Sequence, residues 1–280
     1  MSAAVPAARA QENCSLQTMV GTYAFQERGS SAIVDLTSAP HLGYWNAAIS
    51  PFATVGEITF TPDGTGKGYY WIRHGPINGG LDPIPVTITI TEMNEDCTGK
   101  FTYQVNLPGI TPPPVIEERI ILFDNGRQFR TIPTSISSSG DPNSAWIGFG
   151  RRIGKAGRPV HSCGPETAKG KYLLNGENLV MPPQQSIVAV SDTVLLSINV
   201  SMSGDYTGML YEKLGNRSIT MPIFGAFTVN SDCSFSGTVR FERLAGTAYV
   251  RGVFFDEGKG FYALTLPKPG EATRTMYSVT

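Results

Sequence analysis

The chain has 280 residues, a formal net charge of −1, only 16% charged residues, and 31 glycines with 20 prolines. The near-neutral balance excludes the basic face that nucleic-acid binding requires, and no apolar run approaches the roughly 20 residues of a membrane-spanning helix. Abundant Gly and Pro with few charges suit short strands and many turns, not helical bundles.

Residues 1–12 read as the remainder of a processed signal. Ala8-Arg9-Ala10 is a small-x-small cleavage pattern just before Gln11, which places the protein in the secretory pathway or outside the cell. Asn13-Cys14-Ser15 is the first of three glycosylation sequons, followed by those at Asn199 and Asn216.

From Cys14 onward the pattern is that of strands. Cys14 leads by seven residues to Gly21-Thr22-Tyr23, and a long connection carrying Tyr44 and Trp45 follows. Asp63-Gly64 marks a hairpin turn. The next stretch, Tyr69-Tyr70-Trp71-Ile72-Arg73-His74, is the densest run of aromatic and polar groups. Alternation splits it into Tyr69, Trp71 and Arg73 on one face and Tyr70, Ile72 and His74 on the other, with either set able to face inward. Val86–Ile90 and Phe101–Val105, which carries Tyr103, alternate cleanly between apolar and polar. Arg119 stands in phase with Ile121 and Phe123. An arginine on an apolar strand face must be paired, as a structural cap or as a cation that polarises a ligand oxygen. Asp124-Asn125-Gly126 is a further turn, and Trp146 lies near the end of the unit.

The second half then repeats the first. Cys163 leads by seven residues to Gly170-Lys171-Tyr172; Asp96-Cys97 recurs as Asp232-Cys233; and Phe123 to Phe129 recurs as Phe255 to Phe261, with Arg251 matching Arg119. Two homologous units follow, residues 13–155 and 160–280, each long enough to bury its own core. The cysteines stand at matched places, so two disulfides are expected, Cys14–Cys97 and Cys163–Cys233. Each unit is expected to be an antiparallel β-barrel, because closure removes exposed edges; a pair of β-sandwiches is the alternative. The connections are longer in the first unit: Tyr23 to Ile58 spans 35 positions against 26 from Tyr172 to Ile198. Long loops on a rigid scaffold carry function, so the ligand site is expected in the first unit.

No catalytic-elbow, zinc-binding or nucleotide-cradling motif is present, and no cofactor or metal is expected. The Cys-x6-Gly-x-Tyr opening, the Gly-rich hairpins and the later Asp-Cys resemble lipocalin-like (calycin) barrels, here in tandem. As a secreted two-repeat β-protein without a catalytic motif, the chain also resembles the fungal hetero-Diels–Alderases of tropolone sesquiterpenoid biosynthesis. That resemblance implies a cofactor-free cycloaddition between a tropolone o-quinone methide and a humulene-type polyene. Its partner would then be a small hydrophobic natural-product substrate. The residues expected to serve are Arg119 and His74 as catalytic groups, with Tyr44, Trp45, Tyr70, Trp71, Tyr103 and Trp146 against the substrate. The competing expectation is a carrier that binds a hydrophobic ligand without chemistry.

Overall fold

The computed structural model describes residues 13–32, 49–74, 77–78, 82–106, 112–136, 145–154, 162–180, 190–214, 217–242, 247–266 and 275–279. The first unit opens with a one-turn helix α1 (Leu16–Met19). Its strands are β1 (Gly21–Ala32), β2 (Ile49–Phe60), β3 (Thr65–His74), β4 (Ile77–Asn78), β5 (Ile84–Met93), β6 (Thr98–Val105), β7 (Val115–Phe123), β8 (Gln128–Ile136) and β9 (Ala145–Arg152). The long strands pair in the circuit β1-β2-β3-β5-β6-β7-β8-β9 and back to β1, all antiparallel, with β4 appended to β3. The second unit opens with α2 (Pro165–Ala168). It closes into a barrel of β10 (Gly170–Val180), β11 (Val190–Val200), β12 (Asp205–Leu214), β13 (Arg217–Val229), β14 (Ser234–Phe241), β15 (Thr247–Phe255), β16 (Gly260–Leu266) and β17 (Thr275–Val279). The expectation of two antiparallel barrels holds. Among the described residues helix is confined to single turns, since alternating sequences bury one face only as strands.

The repeat extends to the pairing register. Tyr23 lies opposite Ile58 as Tyr172 lies opposite Ile198, and Ile58 opposite Gly68 as Ile198 opposite Gly208. Leu122 pairs with Phe129 as Phe254 pairs with Phe261. Both expected disulfides are present, Cys14–Cys97 and Cys163–Cys233, each with a Cα–Cα distance of 4.9 Å. Each ties the chain entering a barrel to a turn between strands.

The Asp124-Asn125-Gly126 turn runs through positive φ, as does its counterpart Asp256-Glu257-Gly258. Gly126 packs so tightly beneath α1 that a Cβ there would lie 2.2 Å from the Thr18 carbonyl oxygen, and Gly258 meets Thr167 in the same way. Glycine is required at both on two counts, conformation and space. In the first barrel this end is also tied by Arg152. Its Nη2 donates to Tyr23 Oη (2.6 Å), to the Thr18 carbonyl (2.9 Å) and to the Gly126 carbonyl (3.1 Å). Tyr23, Phe60 and Phe129 pack above it.

The two barrels share a dry face. Ala24, Ala53, Val55 and Trp71 on the outside of β1–β3 join the buried cluster that includes Val253, Phe255 and Tyr262. Polar contacts rim it: Tyr69 Oη donates to Asp232 Oδ2 (3.0 Å), and Arg127 and Arg151 each reach Asp256 at 3.4 Å. Burial, reinforced by the negative charge of Asp232, raises the Glu57 carboxyl at this junction to about 7.

The face of Arg119 is corrected here, and the open choice on β3 is decided. Arg119 points outward and is exposed, and its phase-mates Ile121 and Phe123 are 46% and 42% exposed. The inward face of β7 is Glu118, Ile120 and Leu122. The strand is apolar on both faces, so alternation alone did not choose between them. In the second barrel the same outward phase, Val253 and Phe255, is buried because the first barrel covers it. Trp71 likewise faces the junction, its ring 5.3 Å from that of Tyr69, and not the barrel interior.

Candidate functional site

The interior of the first barrel holds two glutamates. Glu27 on β1 follows Tyr23 and Phe25 in inward phase, and Glu118 on β7 precedes Ile120 and Leu122. Both are 0% exposed. Glu27 is held at both oxygens. Tyr103 Oη on β6 donates to Oε1 (3.0 Å), and Thr54 Oγ1 on β2 donates to Oε2 (3.1 Å). The Glu27 backbone N–H donates to the same Thr54 hydroxyl at 3.1 Å. On the facing strand Trp146 Nε1 donates to Glu118 Oε1 (2.6 Å). Glu118 Oε2 and the hydroxyl of Thr131 on β8 lie near one another, yet both are buried and neither completes a hydrogen bond of normal geometry. Tyr70, on the inward face of β3, is also buried.

The electrostatics follow from this placement. Burial raises the proton affinity of Glu27 well above the usual carboxylate range, and the charge of Glu118 raises it further; the bonds from Tyr103 and Thr54 oppose it. Burial raises Glu118 too, against hydrogen bonds from Thr131, Trp146, Glu27 and Tyr103, and the bond between the two acids raises Glu27 further. Tyr70 and Tyr103 are pushed up by burial and then by the two acids. In so dry a setting, burial and mutual repulsion favour a protonated carboxyl over two carboxylates. Neighbouring carboxyls of this kind act as hydrogen-bond donors and general acids.

Three of the expected site residues therefore meet: Tyr70, Tyr103 and Trp146. Two do not join them, since Arg119 faces outward and Trp71 faces the other barrel. His74 ends β3, in register with Phe52 and Ile77. Tyr44, Trp45 and Asn216 lie outside the described residues. Asn13 and Asn199 are exposed, as a glycan attachment requires. The glutamates themselves were missed. Their signal was phase: Glu27 two residues after Phe25, and Glu118 two before Ile120.

In the second barrel the positions that match this network are apolar, although Glu212 is buried on the inward phase of β12 and Thr265 on β16. By the shared register Glu27 corresponds to Gly176, Thr54 to Val194, Tyr70 to Leu210, Tyr103 to Val239, Glu118 to Val250 and Thr131 to Ala263. Here the barrel holds a cavity of about 60 Å³. Leu210, Val239, Val250 and Ala263 line it together with Phe227, Tyr206 and Thr265. A ligand cavity was expected in the first unit; this one lies in the second.

No family model and no curated protein matches the chain. Among solved structures it is similar to intact Ap-TbpB with its N and C lobes, at 7% identity and a TM-score of 0.29, over 92% of this chain and 75% of that one. It is also similar to a protein of unknown function of the DUF3598 family from Nostoc punctiforme, at 11% identity and a TM-score of 0.23, over 97% and 98% of the two chains. Likenesses at these scores carry no argument about function.

Proposed function

We propose that the protein is a lipocalin-like pericyclase that joins two small apolar molecules inside its first barrel without a cofactor. The reaction is an intermolecular hetero-Diels–Alder cycloaddition of a tropolone o-quinone methide with a humulene-type polyene. The observation that carries this reading is the buried carboxyl pair of Glu27 and Glu118, set among Tyr70, Tyr103 and Trp146. A cycloaddition needs no nucleophile. Holding both partners in a reactive orientation removes up to roughly 7–11 kcal/mol of entropic barrier. A hydrogen bond to the oxygen of the electron-poor diene lowers the barrier further. Aromatic walls supply the first effect and a protonated carboxyl the second. In this scheme the acid pair takes the role first expected of Arg119 and His74.

The test compares product ratio and enantiomeric excess with and without protein, because quinone methides also react spontaneously. Faster turnover to one stereoisomer is expected, unaffected by chelator or dialysis. Identical rates and stereochemistry in both tubes would overturn the reading.

A second reading, a secreted carrier of an apolar ligand, is favoured by the cavity in the second barrel. The two disulfides are consistent with an oxidising, extracellular setting. Tight binding of the polyene without any product would support the carrier instead.

A further inference from the structure

We propose that the chain associates head to tail with a second copy of itself. The outer face of β10–β12 of one molecule docks on the outer face of β7–β8 of the next, repeating between molecules the contact that joins the two barrels within one.

The junction inside the molecule joins two different patches. Strands β1 and β2 of the first barrel lie against β15 and β16 of the second. The first barrel gives Ala24, Val55 and Trp71, and the second gives Val253, Phe255 and Leu264; all six are buried. An interface of two unlike patches is heterologous, so each barrel carries one patch that is used and one that is not.

The repeat fixes where the unused patches lie. Gln26–Val55–Trp71 and Ala24–Glu57–Tyr69 run across β1, β2 and β3. Asn175–Leu195–Tyr211 and Leu173–Ser197–Met209 run across β10, β11 and β12 in the same register. On the other patch Val253 lies opposite Tyr262 and Arg251 opposite Leu264, as Ile121 lies opposite Arg130 and Arg119 opposite Ile132. Ile121, Phe123 and Ile132 thus stand at the places of Val253, Phe255 and Leu264.

Both unused patches are apolar and open. Leu173, Leu195 and Tyr211 are 80%, 46% and 45% exposed where Ala24, Val55 and Trp71 are buried, and Ile121, Phe123 and Ile132 are exposed where their counterparts are buried. Among the described residues nine large apolar side chains are exposed, and six of them lie on these two patches. Clustered exposure of this kind marks an interaction surface, whereas scattered exposure does not. The two patches are copies of the two halves of an existing interface, so the partner that fits each is the other, on a second molecule.

The rim agrees. Within the molecule Arg127 reaches Asp256 at 3.4 Å. By the repeat Lys259 stands at the place of Arg127 and Asp124 at the place of Asp256. Both are exposed, and their charges are again opposite. Ser197 stands at the place of Glu57, so the contact between copies need not bury an acid. Asn199, with its sequon, lies one row beyond the patch. Its counterpart Thr59 is exposed outside the junction, so a glycan there leaves docking possible.

Both patches of a barrel can be covered at once. In the first barrel β9 separates them on one side of the circuit and β5 and β6 on the other; in the second β17 and the pair β13 and β14 do so. Repetition of the contact gives a ring where the rotation closes and an open chain where it does not.

The experiment is sedimentation velocity on the intact protein over a range of concentrations. The wild type should grow beyond the mass of one chain as concentration rises. Leu195→Lys removes one patch and Ile121→Lys the other. Each should weaken association about tenfold or more, as the loss of a central apolar anchor does. Mixed in equal amounts, the two variants should form a dimer and stop there, because each keeps the patch that the other lacks. Lys259→Glu, an exposed change that spares the apolar surface, should weaken association at low salt and lose its effect at high salt; it tests the contact if the other variants fold poorly. A wild type that stays monomeric at about 1 mM overturns the proposal. So does a mixture of the two variants that forms no dimer. Loss of association in one variant while the other behaves as wild type would indicate an isologous contact and overturn it as well.

Discussion

The two barrels are the same backbone carrying opposite interiors. They share strand register, disulfide placement and the glycine turn beneath the opening helix. At six corresponding inward positions the first has Glu, Thr, Tyr, Tyr, Glu and Thr where the second has Gly, Val, Leu, Val, Val and Ala. The first interior therefore carries a network of buried hydrogen bonds around two acids, and the second puts hydrocarbon at those positions, with Tyr206 and Thr265 also lining its cavity and Glu212 buried on the inward phase of β12. The difference teaches that closure of these barrels rests on the backbone ladder and the tied end, while the interior is free to vary. It also separates two costs. The second barrel forgoes packing around its cavity, and the first retains polar groups that water would otherwise solvate.

The largest effect expected from breaking the shared features comes from the disulfides. The bridges span 83 and 70 residues, and chain entropy assigns each about 4.5 kcal/mol. Paired Cys→Ser changes should cost both units a similar amount in chemical denaturation. A large loss in one unit and none in the other would show that the repeats are not held in the same way.

Next is exchange of chemistry between the barrels. Val250→Glu places in the second barrel the acid that the first barrel accommodates, but with Val239 and Ala263 where the first barrel has Tyr103 and Thr131. It should destabilise the second unit by about 3–5 kcal/mol at neutral pH, as an uncompensated buried charge does, and by less in acid, where the carboxyl is neutral. A cost below 1 kcal/mol at pH 7 would mean that the cavity admits water freely.

A smaller, pH-dependent effect belongs to the native acid pair. Both glutamates bind protons more tightly when folded than the usual glutamate near 4.5. Their favourable contribution is thus complete below that pH and declines as pH rises towards the folded-state values. The slope approaches 1.4 kcal/mol per pH unit for each proton that only the folded state retains. Denaturant midpoints measured from pH 4.5 upward should fall in the wild type and fall less steeply in Glu118→Gln. Equal slopes would place the protonation elsewhere.

The smallest effect is expected outside. Arg119→Ala should change stability by less than about 0.5 kcal/mol, as for exposed sites without special contacts, and leave turnover unchanged. A strong loss of activity in that variant would return Arg119 to the site and contradict the inward face assigned to β7.

Much of this was determined by the sequence itself. The tandem repeat, both disulfides, the antiparallel strands and the turn glycines follow from local patterns, because alternation and turn chemistry act between near neighbours. Tyr70, Tyr103 and Trp146 were also legible as candidate site residues. The glutamates were not, although Glu27 shares phase with Tyr23 and Phe25, because a charged residue on a strand is ordinarily assigned to water. Glu118 was further obscured by a strand apolar on both faces, which drew attention to Arg119 one position later. Only the tertiary structure decided which apolar outer face another barrel would cover, so that Val253 and Phe255 are buried while Ile121 and Phe123 are not. Trp71 was claimed by the same junction. Whether a strand face meets water, a partner barrel or the barrel axis depends on closure and docking between residues far apart in the chain, and a period of two is the same in all three cases.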